Sequence, residues 1–389
     1  MESPDPMMAM NSKTIFVLAD WYEPGFKAGG PIRSCVNFVR NMSSDYRIYV
    51  FTSDRDLGSS APYPGVPVDQ WLNPAENIHL YYCSPGNLKW GTIRRQLELI
   101  GPDFIYLNSM FSPKFTIYPL LINRLRKAPA KVVLAPRGML KDTAIQFKRG
   151  KKMLFLSSLR RLGLHRRIHF HVSDETEKQE VGRYFGTDTT VTRVPNFPSL
   201  FPDNDDTLEK RPGELSIVFV GRIHPIKNLD YLLSALGDLR FMIRLTIIGS
   251  IEDEAFWEKC RKIIDALPSN IRVVFEGERP HHELPPLIGK HHIFSLPTQG
   301  ENFGHAIFEA MALGKPVLIS DQTPWKDLEK MRVGWDLPLN RPELFRRAIG
   351  TAAAFSQEEY DTWSDAARRY ARDYVSKMNL TESYRLLFS

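Results

Sequence analysis

Short runs of β-branched and aromatic residues alternate with amphipathic stretches along the whole chain. Most of these runs are apolar throughout, which is typical of parallel strands that are covered by helices on both faces. The pattern therefore predicts a doubly wound α/β architecture. The predicted strands are residues 13–20, 47–54, 78–83, 104–109, 131–136, 168–174, 215–221, 244–249, 271–277, 291–297 and 315–320.

Residues 193–215 interrupt this alternation. They are crowded with proline, aspartate and asparagine and carry no hydrophobic period, so the stretch is typical of a linker. A chain of 389 residues also exceeds what one core usually holds. We therefore expect a first domain over residues 1–195 and a second over residues 196–358. Amphipathic helices are expected over residues 359–389, where they could pack back against the first domain.

The composition is that of an ordinary soluble protein, with 43% hydrophobic and 25% charged residues. No apolar run approaches the roughly 18 residues that a membrane-spanning helix needs, and the polar start MESPDPMMAMNSK differs from a secretory signal. Cys35, Cys83 and Cys260 are odd in number and far apart, which fits neither a disulfide framework nor a metal motif. We expect a cytoplasmic protein.

The net charge of +6 is concentrated in one segment. Residues 141–167 contain nine Lys or Arg and one Asp, a charge of +8, so the rest of the chain sums to −2. Apolar residues lie between these cations, as in a helix on an anionic membrane surface. The alternative is an ordinary helix with its apolar side in the core. Nucleic acid is disfavoured because no binding motif accompanies the segment.

A candidate anion site follows the predicted strand at 215–221. Gly221 ends the strand, and a loop with Arg222 and Lys227 leads into a helix that starts near Asn228. Backbone N–H groups at a helix N-terminus, together with two cations, favour a phosphate or diphosphate. The spacing is neither that of a P-loop nor that of a dinucleotide fingerprint. Two solvated cations in a loop are the alternative.

A second candidate site is the stretch TQGENFGHAIFEAMALG, which follows the predicted strand at 291–297. Its glycines let the backbone approach a ligand closely, and the helix that follows favours anionic groups at its start. Glu301 in the loop and Glu309 in the helix can both accept hydrogen bonds from sugar hydroxyls. Alternatively, Glu301 interacts with the helix dipole and Glu309 lies on the helix surface.

Together these motifs resemble the donor domain of retaining GT-B glycosyltransferases of sequence family 4, the glycosyl transferases group 1. In the second half, the similarity rests on GRIHPIKN at 221–228, the IIGS strand end at Gly249, and LPTQGENFGHAIFEAMALGKPV at 296–317. In the first half, it rests on the Gly29-Gly30-Pro31 turn, RGM at 137–139 and HVSDETEKQE at 171–180.

The resemblance implies a GT-B fold, in which two Rossmann-like doubly wound parallel-sheet domains face each other across a cleft. It also implies transfer of a sugar, with retention, from a nucleotide diphosphate sugar to a hydroxyl of a glycan or lipid-linked acceptor. Such relatives build bacterial surface polysaccharide or lipopolysaccharide, some of them peripherally on the inner face of the membrane. No metal or other cofactor is implied. The leaving phosphate accepts the proton of the acceptor, so the carboxylate pair of glycosidases is not required.

The family also implies roles for the matching residues of the second half. Arg222 and Lys227 would hold the diphosphate and stabilise its departing charge, and Glu309 would bind the ribose. Glu301 would hold the transferred sugar, together with backbone N–H groups. The remaining implied donor-binding residues are Gly29, Gly30, Gly221, Gly249, Arg279 (near the base), Asn302, Phe303 and Gly304.

One position departs from the family pattern. Many members carry His-Gly where this chain has Arg137-Gly138, and that histidine lies near the reaction centre. Arginine stays protonated and cannot act as a base. We expect Arg137 at the site, where it could bind a phosphate or an acidic sugar. A structural arginine at a strand end is the alternative.

Several further signals are weak. The D-x-D triplets Asp54-Arg55-Asp56 and Asp203-Asn204-Asp205 are expected to be coincidental. The pairs His281-His282 and His291-His292 lack a Cys or Glu at ligand spacing, so we expect a loop pair and a strand-edge pair, and no zinc. Trp325 could line the cleft or pack in the core.

Two other functions stay open at this point. The chain could be a catalytically silent nucleotide-sugar-binding subunit of an assembly complex, which the changed residue at Arg137 favours. It could also be a GT-B epimerase or phosphorylase. The combination of Glu301 and Glu309 with Arg222 and Lys227 argues against both of these enzymes.

Overall fold

The computed structural model describes residues 12–146, 149–199, 201 and 208–389. The chain divides into two compact units. The first comprises Met1–Phe197 with Leu380–Ser389, and the second comprises Pro198–Asn379. The change of unit after Phe197 falls within the linker-like stretch at 193–215.

A mixed sheet forms the centre of the first unit. Its strands are β1 (Thr14–Leu18), β2 (Arg47–Ser53), β3 (Trp71–Ala75), β4 (Ile78–Cys83), β5 (Phe104–Leu107), β6 (Lys131–Leu134), β7 (Ile168–Val172) and β8 (Val191–Arg193). In the described part of the chain they form one eight-stranded sheet in the order β3-β4-β2-β1-β5-β6-β7-β8. All its pairings are parallel except that of β3 with β4.

Helices cover both faces of this sheet, and each face has its own apolar core. The helices are α1 (Gly30–Met42), α2 (Trp90–Ile100), α3 (Tyr118–Arg124), α4 (Asp142–Gln146), α5 (Arg149–Arg161) and α6 (Glu175–Phe185). The strands are apolar throughout because both faces are buried, as the four fully buried residues of β5 illustrate.

The second unit is built around a parallel sheet. Its strands are β9 (Glu214–Val220), β10 (Met242–Ile248), β11 (Ile271–Gly277), β12 (Ile293–Leu296), β13 (Val317–Ser320) and β14 (Gly334–Leu337), in the order β11-β10-β9-β12-β13-β14. The strand order reverses between β9 and β12, and open α/β sheets bind ligands at such a switch point. The surrounding helices are α7 (Leu229–Leu236), α8 (Glu254–Asp265), α9 (Leu284–Gly289), α10 (His305–Ala312), α11 (Pro342–Ala354) and α12 (Gln357–Lys377).

The segment at 359–389 is shared between the two units. α12 belongs to the second unit and begins with a capping box formed by Ser356 and Glu359. The last helix, α13 (Leu380–Leu387), belongs to the first unit, where Tyr384 stacks on Phe197 with ring centroids 4.4 Å apart. The chain thus enters the second unit after Phe197 and returns to the first after Asn379.

The prediction of a doubly wound α/β architecture is confirmed, but the expectation of purely parallel sheets is wrong for the first unit. β3 is antiparallel and lies at the sheet edge, where Pro74 is tolerated because an edge strand need not donate every N–H group. The sequence also misses β8 and β14, which have three and four residues and are too short to show a period.

Candidate active site

The two candidate loops of the second unit lie side by side at the switch point. β9 and β12 are hydrogen-bonded neighbours, with Ile217 opposite Ile293. Because parallel strands end at the same edge, the loop after β9 meets the loop after β12. The Gln299 N–H donates to the Ile226 carbonyl at 2.8 Å, and the Thr298 hydroxyl donates to the same oxygen at 3.1 Å. The two candidate loops are therefore in direct contact.

Lys227 and Glu301 form an ion pair across this junction. Lys227 Nζ donates to Glu301 Oε1, and each side chain is only 16% exposed. The next residue, Asn228, has φ of 60°, which turns the chain from the loop into α7. These contacts argue against the alternative of a solvated Lys227 in a loop. Its ammonium group is held at the edge of the sheet beside a carboxylate.

Arg222 lies in the same loop but has a different partner. Its Nη1 donates to Glu252 Oε2 at 2.6 Å, and its side chain is 35% exposed. The first residue of the loop, Gly221, lies against Gly249 at the end of β10. A Cβ on Gly249 would lie 1.9 Å from the Gly221 carbonyl oxygen. Glycine is therefore required where these two strand ends meet.

Aromatic packing holds the glycine-containing loop at residues 298–304, which follows β12. Phe303 is 4% exposed, and its ring contacts Phe308 and Trp325. The indole Nε1 of Trp325, itself 3% exposed, donates to the Phe303 carbonyl at 2.7 Å. Of the two roles open to Trp325, packing is the one that these contacts support. Phe303 can therefore offer a ligand its backbone rather than its side chain.

Gly304 and Asn302 complete that loop. Gly304 has φ of 76° and is the N-cap residue of α10, and a Cβ there would lie 2.9 Å from Ile307 Cδ1. Asn302 is half-buried. The backbone N–H groups that open α10 are therefore presented by a loop whose conformation only glycine adopts readily.

Glu309 lies inside the protein, contrary to the alternative of a helix-surface residue. It is 2% exposed, and His281 Nε2 lies 2.8 Å from its Oε1. Burial alone raises the pKa of this carboxyl. The hydrogen bond and positive charge of His281, the charge of His305 and a hydrogen bond from Ser199 outweigh burial, so the pKa lies below its ordinary value.

His281 contacts a predicted site residue, and the sequence analysis did not predict this contact. We expected His281-His282 to be a loop pair, and in the structure both lie in a short 3-10 turn, His281–Glu283. Only His281 reaches Glu309, whereas the side chain of His282 is 82% exposed. The signal was available, because His281 follows β11, and β11 ends at the same edge of the sheet as β9 and β12.

Arg279 lies two residues before His281 and is held by its own loop. Its Nη2 donates to Glu276 Oε2 at 2.8 Å, and its Nη1 lies 3.9 Å from Glu283 Oε2. The guanidinium is 38% exposed. The structure therefore places Arg279 beside the turn that carries His281, and contact with a base is left as a prediction.

The first unit carries the other predicted residues. Gly29 has φ of 63° and caps α1, which begins at Gly30 directly after the loop that follows β1. Arg137, after β6, also has a positive φ of 55°, which is uncommon for a residue other than glycine and a source of strain. β1 and β5 flank the reversal in strand order of this sheet.

The guanidinium of Arg137 is held by side chains of its own unit. It donates to Asn108 Oδ1 at 2.8 Å through Nε, to the Tyr106 hydroxyl at 2.8 Å through Nη2, and to Asn196 Oδ1 through Nη1. These contacts support the alternative of a structural arginine at a strand end. A role toward a ligand stays a prediction.

The Tyr106 hydroxyl, which accepts from Arg137, also donates a hydrogen bond to His171. His171 Nε2 lies 2.8 Å from the Val194 carbonyl and must donate to it, so Nδ1 accepts from the Tyr106 hydroxyl at 2.8 Å. Burial lowers the pKa of His171 to about 3, helped by the nearby charge of Arg137. The imidazole is therefore neutral. The hydrogen bonds run from Arg137 through Tyr106 and His171 to the Val194 carbonyl, and this series fixes the position of Arg137.

The acidic triplet after β2 has local structural roles. Asp54 accepts from Arg55 Nε at 2.8 Å, and Asp56 accepts from the backbone N–H groups of Phe26 and Lys27. The other triplet, Asp203-Asn204-Asp205, lies outside the described residues, as do Phe147, Lys148 and most of the N-terminal stretch.

The second histidine pair is also structural. His291 lies between the Leu287 carbonyl and the Thr246 hydroxyl, whereas His292 bonds Ser216 and the Glu209 carbonyl. Among the residues that the structure describes, no group of three or more His, Cys, Asp or Glu is arranged to hold a metal ion.

The basic segment at 141–167 forms α4, α5 and the turn Leu164–Arg167. Leu156 and Leu159 are buried, whereas Leu154 is 70% and Leu162 is 57% exposed. A groove of about 520 Å³ runs along α4, α5 and α6, and three of the cations beside it are Arg149, Arg160 and Arg183. In the described ranges, no helix is long and apolar enough to cross a membrane.

Comparison with known proteins finds a family model that matches most of the second unit. Residues 201–370 match the family model described as glycosyl transferases group 1, which is less than half of the chain. A GDP-mannose-dependent alpha-mannosyltransferase of Mycobacterium tuberculosis is 31% identical over 160 residues, 40% of this chain and 38% of that protein. A D-inositol 3-phosphate glycosyltransferase of Nocardia farcinica is 32% identical over 117 residues, 28% of this chain and 26% of that protein. The chain thus matches well under half the length of these curated relatives.

Similarity to solved structures extends over both units. Sucrose-phosphate synthase from Thermosynechococcus elongatus has a TM-score of 0.68 at 16% identity, covering 97% of this chain and 99% of that chain. Anabaena HepE in complex with UDP and glucose has a TM-score of 0.65 at 14% identity, with coverage of 97% and 99%. WaaG, a glycosyltransferase involved in lipopolysaccharide biosynthesis, has a TM-score of 0.59 at 14% identity, with coverage of 96% and 98%. The chain therefore has the GT-B fold, which confirms the fold predicted from the sequence.

Proposed function

We propose that this chain is a retaining glycosyltransferase that moves a sugar from a nucleotide diphosphate sugar to a hydroxyl of a glycan or lipid-linked acceptor. The observation that carries the proposal is the junction of Lys227 and Glu301 at the switch point of the second sheet. A cation for phosphate and an acceptor for hydroxyl groups meet where an α/β sheet binds ligands. The match of residues 201–370 to glycosyl transferases group 1 supports the same assignment.

In this proposal the diphosphate binds Lys227 and Arg222. Both cations already interact with carboxylates, Glu301 and Glu252. An incoming diphosphate would compete for them, because its charge exceeds that of one carboxylate. Gly221 and Gly249 leave the strand ends uncovered by side chains. If the diphosphate drew Lys227 away, the Glu301 oxygen that now accepts from Lys227 would become available to sugar hydroxyls.

The remaining donor contacts follow from the same loop and helix. Backbone N–H groups at Asn302–Gly304 would hold the sugar beside Glu301, and Glu309 would accept the ribose hydroxyls. Arg279 would lie toward the base, and Gly29 with Gly30 toward the diphosphate. Cationic side chains would stabilise the leaving group in a mechanism without metal, and the leaving phosphate would take the acceptor's proton.

We propose that Arg137 also contributes to ligand binding. Its guanidinium is fixed by Asn108, Asn196 and Tyr106, so it could present a positioned charge to a phosphate or an acidic sugar. It would not move a proton.

We further propose a cytoplasmic enzyme whose segment 141–167 rests on the inner, anionic face of a membrane while it builds a surface glycan. The exposed Leu154 and Leu162 lie among the cations of this segment, which is the combination that interfacial helices use. Replacing both leucines by Asp should lower binding to phosphatidylglycerol vesicles several-fold in a sedimentation assay. Met331→Asp, at an exposed position of the second unit, is the control. Equal binding by both variants would contradict the membrane contact.

Two alternatives have less support. A catalytically silent nucleotide-sugar-binding subunit would keep the donor residues and lose turnover, and Arg137 is the feature that favours it. The combination of Glu301 and Glu309 with Arg222 and Lys227 argues against a GT-B epimerase.

Donor binding tests the proposed function directly. A ligand that binds only the folded state raises the melting temperature. We expect one donor from a panel that includes UDP-glucose and GDP-mannose to raise it by several degrees, and Glu309→Ala to abolish most of that rise. A panel of nucleotide sugars that leaves the melting temperature unchanged would argue against the proposal.

A further inference from the structure

His281 and Glu309 join two elements of the second unit at one carboxylate. His281 opens the turn between β11 and α9, whereas Glu309 lies on α10. Their contact is 2.8 Å long, and the side chains are 20% and 2% exposed. A carboxylate this deeply buried is costly unless it is paired. The contact with His281 is therefore part of what allows Glu309 to occupy its position.

The hydrogen bond between them has a definite direction. Glu309 has a lowered pKa, so it is ionised near neutral pH, and an ionised carboxylate only accepts. His281 Nε2 must therefore carry the proton and donate it to Oε1. A carboxylate has about four lone-pair positions. Hydrogen bonds from His281 and Ser199 occupy two of them, which leaves acceptor capacity for a ligand.

We propose that His281 is a positioning residue of the nucleotide site, which holds the Glu309 carboxylate in one orientation so that it can accept both hydroxyls of a ribose. This inference rests on the proposed function, in which Glu309 binds the ribose. Without His281, the carboxylate would keep its hydrogen bond from Ser199 but lose one of its constraints. The rotational freedom gained would have to be lost again when the nucleotide binds, and that loss weakens affinity. The family resemblance assigns Glu309 and gives His281 no part.

The first test compares variants of the two adjacent histidines by calorimetry with UDP and GDP. Loss of a hydrogen bond to a charged group should weaken binding in His281→Ala by roughly tenfold or more. His281→Gln, whose amide nitrogen replaces Nε2, should restore most of the affinity. His282→Ala is the matched control, because that side chain lies in the same turn and is 82% exposed.

A double-mutant cycle separates positioning from a general structural effect. In a Glu309→Gln background, His281→Ala should cost little further affinity, because the interaction that it removes is already lost. In turnover measurements, the donor KM should rise in His281→Ala while kcat changes little, since a ribose contact is equal in the ground and transition states.

The pH dependence of nucleotide affinity is a further test, because a residue with only a structural role would not shift it. The titratable groups that act on the Glu309 carboxylate are His281 and, one turn earlier on α10, His305. Removing His281 leaves burial less opposed, so the pKa of Glu309 should rise. The loss of nucleotide affinity on acidification should then begin at a higher pH in His281→Ala than in the wild type.

Three results would overturn the inference. Wild-type affinity in His281→Ala, or an equal loss in both backgrounds of the cycle, would refute the role of His281 and leave the proposed function intact. Failure of the wild-type protein to bind any of the common nucleoside diphosphates would refute both. If His281→Ala does not fold, His281→Phe keeps a ring without the N–H group and permits the same comparison.

Discussion

At the residue scale, the candidate site depends on contacts between side chains that are far apart in the sequence. Lys227 and Glu301 each follow a strand, which marked them as site residues, but they lie 74 positions apart and meet only because β9 and β12 are neighbours. His281 was missed for the same reason, since its significance depends on Glu309. Arg137 shows the converse. Its position directly after a strand was predicted. Its three hydrogen-bond acceptors in the first unit could not be predicted from the local sequence.

Lys227→Ala tests the proposed phosphate contact at this scale. Because the ammonium group would stabilise charge that develops on the leaving diphosphate, we expect turnover to fall by roughly 10²–10³-fold. Lys262→Ala, at an exposed position on α8, is the control. The measurement is the initial rate of nucleoside diphosphate release. A rate within about twofold of the wild type would contradict the assignment.

At the element scale, the strands were predictable because burial on both faces makes them continuously apolar. The exceptions are β3, β8 and β14, which are short or lie at an edge and so carry no such pattern. The loops after the strands were predictable through their glycines. Close contact between the ends of β9 and β10 explains why Gly249 stands where it does.

Gly249→Ala should destabilise the second unit. Its φ is 155°, and the added Cβ would lie 1.9 Å from a backbone oxygen that cannot move without shifting β9. We expect the free energy of unfolding to fall by roughly 3 kcal/mol or more. At Gly289 a Cβ would meet no described atom within 4 Å, so Gly289→Ala should stay within about 0.5 kcal/mol. Urea unfolding measures both, and equal stabilities of the two variants would refute the packing argument.

At the scale of the whole molecule, each unit contains a buried neutral histidine. Burial lowers the pKa of His171 to about 3 in the first unit and that of His291 to about 4 in the second. Both imidazoles accept one hydrogen bond and donate another, so protonation would break the accepting contact. The sequence alone could not predict these lowered pKa values, because they depend on how deeply each histidine is buried.

This arrangement predicts how stability depends on pH. Above about pH 6.5, the ordinary histidine pKa, both histidines are neutral in the folded and in the unfolded protein. They then make no contribution to the pH dependence of the free energy of unfolding. As pH falls below 6.5, the unfolded chain takes up protons that the folded chain rejects. The free energy of unfolding should therefore fall by up to about 1.4 kcal/mol per pH unit for each histidine, until pH reaches the folded values.

Urea unfolding between pH 7 and pH 4.5 measures this slope. His171→Gln and His291→Gln should each remove the contribution of one proton, whereas His282→Gln, at an exposed position, should leave the slope unchanged. The account of the two buried histidines would be contradicted if both variants kept the wild-type slope over this range.

The central claim concerns sugar transfer, and release of nucleoside diphosphate tests it most directly. Purified protein would be mixed with a panel of nucleotide sugars and a membrane extract that supplies acceptors. The account predicts that one donor yields nucleoside diphosphate in step with acceptor glycosylation, and that Lys227→Ala reduces the rate roughly a hundredfold or more. No release above the protein-free control from any donor would contradict it.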